Sequence, residues 1–196
     1  IAVNVTDESS QQALFDDVVR RYGQLDIVVA AAGISSAGYI SGEVSAPAED
    51  PEDNFLFNKP IADWQRVLDV NLTGVAITDR LAARHMLALG TSGSIINIAS
   101  IAGKRPLPGA ADYCVSKAGV IMLTTVFATE LATKNIRVNA IGPGFIETPM
   151  TAKIPVAIRE VARRLNAFNQ GGLPNDIAYA IHALCAPGAS GLNGQV

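Results

Sequence analysis

The chain has 196 residues, 49% of them hydrophobic and 17% charged, with a mean hydropathy of +0.27, enough to enclose a sizeable core in one domain. A formal net charge of -3 and a pI near 5.3 exclude an extended basic face for nucleic acid or anionic lipid. No apolar stretch reads as a ~20-residue membrane span, none resembles a signal peptide, and two cysteines, Cys114 and Cys185, make no disulfide framework and read as reduced cytosolic thiols.

In chain order, Asp7 is placed to cap a helix predicted over Glu8 to Tyr22 and ended by Gly23. Leu25 to Ala31 is an apolar run suited to a buried strand. Ser35 to Pro60 holds five acidic residues (Glu43, Glu49, Asp50, Glu52 and Asp53) among several Gly, Ser and Pro, and reads as a long loop at the carboxyl end of that strand. Loops of this length are uncommon in compact domains. This one either shapes a substrate entrance or is a solvated excursion or subunit contact.

A helix is predicted over Asp63 to Leu89, a strand over Ser94 to Ile98, a helix over Asp112 to Thr133 and a strand over Arg137 to Ile141. A helical flap over Thr151 to Phe168, carrying Arg159, Arg163 and Arg164, and a last helix over Asn175 to Ala186 complete the chain. On the Asp112 helix, Val120, Leu123, Phe127 and Leu131 fall at helical spacing, as core or as interface. His85 and His182 have no metal-ligand spacing and read as structural or surface residues; no metal site is expected.

The chemistry resides in Tyr113 and Lys117, one helical turn apart, so that phenol and ammonium share a face. A phenol of pKa ~10 is a poor proton shuttle near neutrality. One cation about 4 Å away contributes on the order of 4 kcal/mol at an effective dielectric near 20, and on that reasoning Lys117 lowers Tyr113 toward working pH, where acid and base catalysis is most effective. The stretch Gly93 to Lys117, GSIINIASIAGKRPLPGAADYCVSK, is a strand, a Ser at its end, a loop, then the helix. That order brings Ser100 to the sheet's carboxyl edge, where ligands bind in open α/β folds. Ser100 then holds a substrate oxygen beside the phenol, which suits chemistry at a carbonyl or an alcohol.

NVTD at Asn4 to Asp7, LDIVVAAAG at Leu25 to Gly33, VNLTG at Val70 to Gly74, IINIAS at Ile95 to Ser100, YCVSK at Tyr113 to Lys117 and RVNAIGPGFIETPM at Arg137 to Met150 follow one another over nearly the whole chain. In them the chain resembles the classical short-chain dehydrogenases/reductases, in particular the group of 3-oxoacyl carrier-protein reductases. The resemblance implies a doubly wound, Rossmann-type α/β domain with a mostly parallel sheet, NAD or NADP as cofactor, a small-molecule carbonyl or alcohol substrate, cytoplasmic location and a homotetramer or homodimer. It implies a tetrad of Asn71, Ser100, Tyr113 and Lys117, with Tyr113 as acid and base, Ser100 orienting the oxygen, Lys117 holding the nicotinamide ribose and the Asn71 backbone holding a relay water. It also implies cofactor contacts at Asn4, Val5, Ala31, Gly33, Tyr113, Lys117, Pro143, Gly144, Ile146 and Thr148.

Two departures stand out. Ala30, Ala31 and Ala32 precede Gly33 where the family usually has Asn-Asn-Ala, so two side-chain amides are missing. The Gly-rich turn that receives a pyrophosphate is also missing; the expectation is of one domain over residues 1–196, incomplete at both ends, with the first βαβ unit outside the chain. Steroid or polyol alcohols are alternative substrates. A non-catalytic nucleotide-binding scaffold is an alternative role, although a scaffold has no physical need for a lysine one turn from a tyrosine.

Overall fold

The computed structural model describes residues 1–35, 50–149, 151–154 and 156–196. Its sheet has three parallel strands in the order β1-β2-β3: β1 Ile27–Ala30, β2 Gly93–Ile98 and β3 Ile136–Ile141. Pairing runs from Ile27↔Ser94 to Ala30↔Asn97, and from Gly93↔Ile136 to Ile98↔Ile141, so the three carboxyl ends finish along one edge. Parallel neighbours require crossovers. Helices α2 (Ile61–Leu68) and α3 (Gly74–Leu89) join β1 to β2, and α4 (Ala111–Leu131) joins β2 to β3. Helix α1 (Glu8–Tyr22) precedes the sheet, while α5 (Val156–Arg164) and α6 (Pro174–Cys185) follow it.

Side chains alternate across the sheet. Ile95 and Val138 pack with Phe15, Leu81, Met86 and Leu131 from α1, α3 and α4, and nearer the carboxyl edge Ala30 and Ala140 pack with Val120. Ile96 points to the other face and is also fully buried; α6 lies against β2 and β3. Strands β2 and β3 are therefore covered on both sides, as near-continuous apolar strands require, whereas β1 leaves Ile27 and Val29 exposed. The stripe Val120, Leu123, Phe127 and Leu131 belongs to these two clusters and is core, whereas the apolar residues α4 exposes are Val115, Met122 and Val126.

Helix α1 has the predicted limits. The Asp7 carboxylate accepts the Ser9 N–H at 2.9 Å, and Gly23 ends the helix with φ +70°, its N–H bonded to the Val19 carbonyl. The helix predicted over Asp63 to Leu89 is not continuous: α2 and α3 are separated by a π-helical turn, Asp69–Thr73. The flap helix is shorter than Thr151 to Phe168. Thr148 and Thr151 exchange backbone-to-hydroxyl bonds of 2.8 and 3.1 Å around a 3₁₀ turn at Thr151–Lys153, and the helix itself begins only at Val156. Asn166 then caps a turn on the Phe168 N–H at 2.9 Å.

The expectation that no apolar stretch reaches membrane length needs correcting. Ala111–Lys134, 24 residues, is long and apolar enough by length and composition to span a bilayer. Here it packs on β3 and buries Asp112, Ser116, Lys117 and Thr124, and its apolarity follows from its central place in the core. Of the acidic loop, residues 36–49, with Glu43 and Glu49, lie outside the described residues. Its end is a 3₁₀ turn, Pro51–Asn54, capped by the Asp50 carboxylate on the Glu52 N–H at 2.9 Å.

Candidate active site

Ser100 follows β2 in extended backbone, and its Oγ accepts the Ala102 N–H at 3.1 Å, capping the single turn Ile101–Gly103. That turn lies flat on α4 because Gly103 has no side chain: a Cβ there would come within 2.8 Å of the Lys117 carbonyl carbon and 2.9 Å of the Ala118 nitrogen. The approach brings the Ser100 hydroxyl beside the Tyr113 phenol, close enough to favour its ionised form. Lys117 Nζ lies 5.8 Å from the Tyr113 ring centroid and donates to the Ile98 carbonyl at 2.7 Å.

Asn71 sits on the π turn, fully buried. Its Oδ1 accepts the Ile34 N–H and its Nδ2 donates to the Ile34 carbonyl, both at 2.8 Å, with Nδ2 also 3.2 Å from Ser116 Oγ. A π turn supplies one residue more per turn than an α-helix, a device common at functional sites. It aims Asn71 at the chain leaving β1 and at α4 together. A Cβ on Gly33 would stand 3.4 Å from Asn71 Oδ1 and 3.6 Å from Lys117 Nζ, so this backbone lies beside both. The structure thus brings Ser100, Tyr113, Lys117, Asn71 and Gly33 into one cluster at the carboxyl edge.

The electrostatics differ from the sequence expectation. Burial raises the Tyr113 pKa; the nearby Ser100 hydroxyl offsets this only partly, and neighbouring Cys114 adds to the rise. Burial also lowers Lys117 from 10.5 to about 8. The lowering of the phenol by Lys117 reasoned from spacing is absent because both groups leave water together, and the ammonium is directed at a carbonyl rather than the phenolic oxygen.

Other expected cofactor residues line the same edge or the groove beside it. An open groove of about 370 Å³ along β1 is lined by Val5, Val29, Ala31, Ala32 and Gly74, which places Val5 and Ala31 together. Asn4 is exposed; its Oδ1 accepts from the Thr6 N–H and hydroxyl at 3.1 and 2.8 Å, leaving its amide nitrogen outward. After β3, the Pro143 carbonyl accepts the Ile101 N–H at 3.0 Å, Gly144 faces open space, and Ile146 bridges to Gly172. The Thr148 hydroxyl meets Thr151 Oγ1 at 3.2 Å. A buried lysine, exposed backbone at Ala31 to Gly33 and open space at Gly144 fit a dinucleotide's ribose hydroxyls and ring. Among the described residues no three His, Cys, Asp or Glu side chains gather as a metal site.

Several features escaped sequence reasoning. Lys59 and Asp112 form a buried ion pair at 3.0 Å, with side-chain exposures of 3% and 0%. Asp79 is buried against Asn97 at 2.9 Å, and burial lifts its pKa to about 7. Arg163, on the predicted flap, is held by Glu147 at 2.6 Å and by Glu160. Only an aspartate directly before the tyrosine hinted at any of these.

A family model described as enoyl-(acyl carrier protein) reductase matches residues 1–196. The chain is a short-chain dehydrogenase/reductase. It is 38% identical over 194 residues to the 3-oxoacyl-[acyl-carrier-protein] reductase FabG of Thermotoga maritima, covering 99% of this chain and 72% of that protein. It is 39% identical over 196 residues to the 3beta-hydroxysteroid dehydrogenase 1 of Eggerthella lenta, covering 99% and 69%. The solved structure of ElxO with NADP bound superposes with a TM-score of 0.85 at 27% identity, covering 99% of this chain and 73% of that one. As a short-chain dehydrogenase/reductase it is an NAD- or NADP-dependent oxidoreductase that moves a hydride between nicotinamide and a carbonyl or secondary alcohol.

Proposed function

We propose that this short-chain dehydrogenase/reductase reduces 3-oxoacyl thioesters to 3-hydroxyacyl thioesters, with Tyr113 as the proton donor. The observation that carries the reading is the cluster of Ser100, Tyr113 and Lys117: a hydroxyl beside a half-buried phenol, with a buried ammonium one turn below, 5.8 Å from the ring. NAD(P)H supplies the hydride. Ser100 holds the substrate oxygen against the phenol, and Tyr113 delivers a proton to that oxygen as it gains charge. A phenol kept protonated by burial is suited to donate. Lys117 binds the nicotinamide ribose and feeds protons from the interior side, while Asn71 fixes the Ile34 backbone and completes the relay. Asn4, Val5, Ala31 and Gly33 serve the adenosine half; Pro143, Gly144, Ile146 and Thr148 serve the nicotinamide end.

Helix α5 presents Val156 and Val161 outward, with Leu165 exposed just past its end, an apolar face fit to close over an acyl chain. Residues 1–196 act as one catalytic domain. Exposed Val115, Met122 and Val126 on α4 support a homodimer or homotetramer, and the acidic composition with reduced cysteines supports the cytoplasm, without nucleic acid or a membrane as partner.

The test is turnover of the purified protein with NADH or NADPH against short 3-oxoacyl thioesters and a panel of ketosteroids. Preferred reduction of the thioesters supports the reading. The 39% identity to a hydroxysteroid dehydrogenase favours a second, and steroid turnover with inert thioesters would establish it. Cofactor binding without turnover on any substrate would point to the scaffold.

A further inference from the structure

The Lys59 and Asp112 ion pair lies between two parts of the site. Lys59 stands one residue before Pro60, the N-cap of α2, and α2 runs directly into the turn that carries Asn71. Asp112 is the second residue of α4, immediately before Tyr113. One of its oxygens takes the Lys59 ammonium at 3.0 Å, and the other accepts the Tyr113 N–H at 2.8 Å. A second contact lies alongside: Gly109, with φ +79°, brings its backbone so near Asn54 that a Cβ would stand 3.3 Å from Asn54 Cβ. The segment from Asp50 to Lys59, the end of the long acidic loop, is thus seated on the loop that leads into the tyrosine helix.

Burying two charges this completely is costly unless their geometry is well satisfied, and an apolar pair would often stabilise the fold as well. A pair retained at this place has the reach to fix geometry instead. We propose that Lys59 and Asp112 are positioning residues for the reduction, setting the first turn of α4 so that the Tyr113 phenol meets Ser100 and the Asn71 turn in register. The inference rests on the assignment of Tyr113 as proton donor. The pair also couples the loop to the chemistry: whatever displaces Lys59 from the loop side moves the tyrosine backbone.

The charges near the phenol give this a specific signature. The Tyr113 side chain has Lys117 and Cys114 on its own helix and Ser100 after β2 for neighbours, and the Asp112 and Lys59 pair lies at its backbone N–H. Lys59→Met leaves the Asp112 carboxylate at the Tyr113 backbone without that cation, so the alkaline limb of the kcat/KM profile moves up. Asp112→Asn leaves the Lys59 cation, so the limb moves down. A misplaced phenol costs turnover steeply, so each variant loses roughly tenfold or more in kcat, while the cofactor dissociation constant stays within about twofold of wild type because neither residue lies among the cofactor contacts.

The experiment measures kcat, KM, cofactor Kd and the pH profile for wild type, Lys59→Met, Asp112→Asn, Lys59→Arg and Tyr113→Phe, each verified as folded by circular dichroism. Opposite displacements of the limb with loss of kcat, and recovery of most of the kcat in Lys59→Arg, support the proposal. A folded Lys59→Met or Asp112→Asn with wild-type kcat and profile overturns it. If Lys59→Met does not fold, Asp112→Asn decides; if neither folds, the pair is a structural brace and the proposal falls. Normal turnover in Tyr113→Phe would instead remove the proton-donor assignment itself, whatever the pair does.

Discussion

Lys117 donates a hydrogen bond to the Ile98 carbonyl at 2.7 Å, so the residue one turn from Tyr113 is anchored to the last residue of the central strand. The bond fixes the distance between α4 and β2 at the edge where Ser100 emerges. It also explains how a lysine only 4% exposed keeps a partner before any ligand arrives.

Under the proposed mechanism, Tyr113→Phe removes the proton donor and keeps the ring. Turnover is expected to fall by about two to four orders of magnitude, with cofactor Kd nearly unchanged. Steady-state kinetics together with fluorescence titration of NADH or NADPH check both halves.

Lys117 has two duties and one cost. Its fall from 10.5 to about 8 means the folded protein holds this proton less tightly than the unfolded chain, so stability rises as pH increases from about 8 to 10.5 and carries the full penalty below that window, about 3 kcal/mol at 1.36 per pKa unit. Lys117→Met is therefore expected to raise the melting temperature at pH 7 while weakening cofactor binding and turnover. In wild type, cofactor affinity should decline above pH about 8 as the ammonium is lost. Thermal melts and Kd measured from pH 6 to 10 test this.

Asp79 gives the opposite sign. Its pKa, raised by burial from 3.8 to about 7, means the fold favours the protonated acid. Its contribution is fully present below pH 3.8 and is lost as pH rises through 7. One of its oxygens and the Asn97 carbonyl oxygen are buried with no hydrogen bond. Asp79→Asn should stabilise the protein above pH 7 and flatten the dependence between pH 4 and 7, seen as a higher urea midpoint at pH 8 with turnover retained.

Gly103→Ala places a methyl against α4 backbone that cannot rotate away. Overpacking of this kind costs about 1–3 kcal/mol, and here it pries the Ser100 turn off the tyrosine helix. kcat should fall further than the loss of stability alone explains, whereas Gly144→Ala, which meets nothing within 4 Å, should leave the melting temperature unchanged. Differential scanning fluorimetry beside kinetics separates the two effects.

Much of this architecture was legible because the signals are local. Asp7 and Gly23 mark both ends of α1 by capping chemistry alone, and the apolar runs at Leu25 to Ala31 and Arg137 to Ile141 announce strands, although β1 leaves Ile27 and Val29 exposed. Tyr113 and Lys117 are one turn apart by arithmetic. What escaped depends on tertiary distance. No periodicity distinguishes a π turn at Asn71 from a regular helix, since the extra residue is stabilised by bonds to Ile34, 37 positions away. The Lys59 and Asp112 pair joins residues 53 positions apart. The direction of the Tyr113 pKa was misjudged because spacing supplies a neighbour's charge but says nothing about how much water both groups lose.

The widened turn at Asp69–Thr73 has a consequence for the helices on either side. One residue beyond α-helical count rotates everything downstream by about 100°, so α2 and α3 present different faces to their surroundings although they share nearly one axis. Helix α2 uses this to lean on α4, while α3 turns toward α1 and the strands. A straight helix of the same sequence would satisfy one set of neighbours and dislodge the other, and a single-residue deletion anywhere from 69 to 73 would force that choice on the protein.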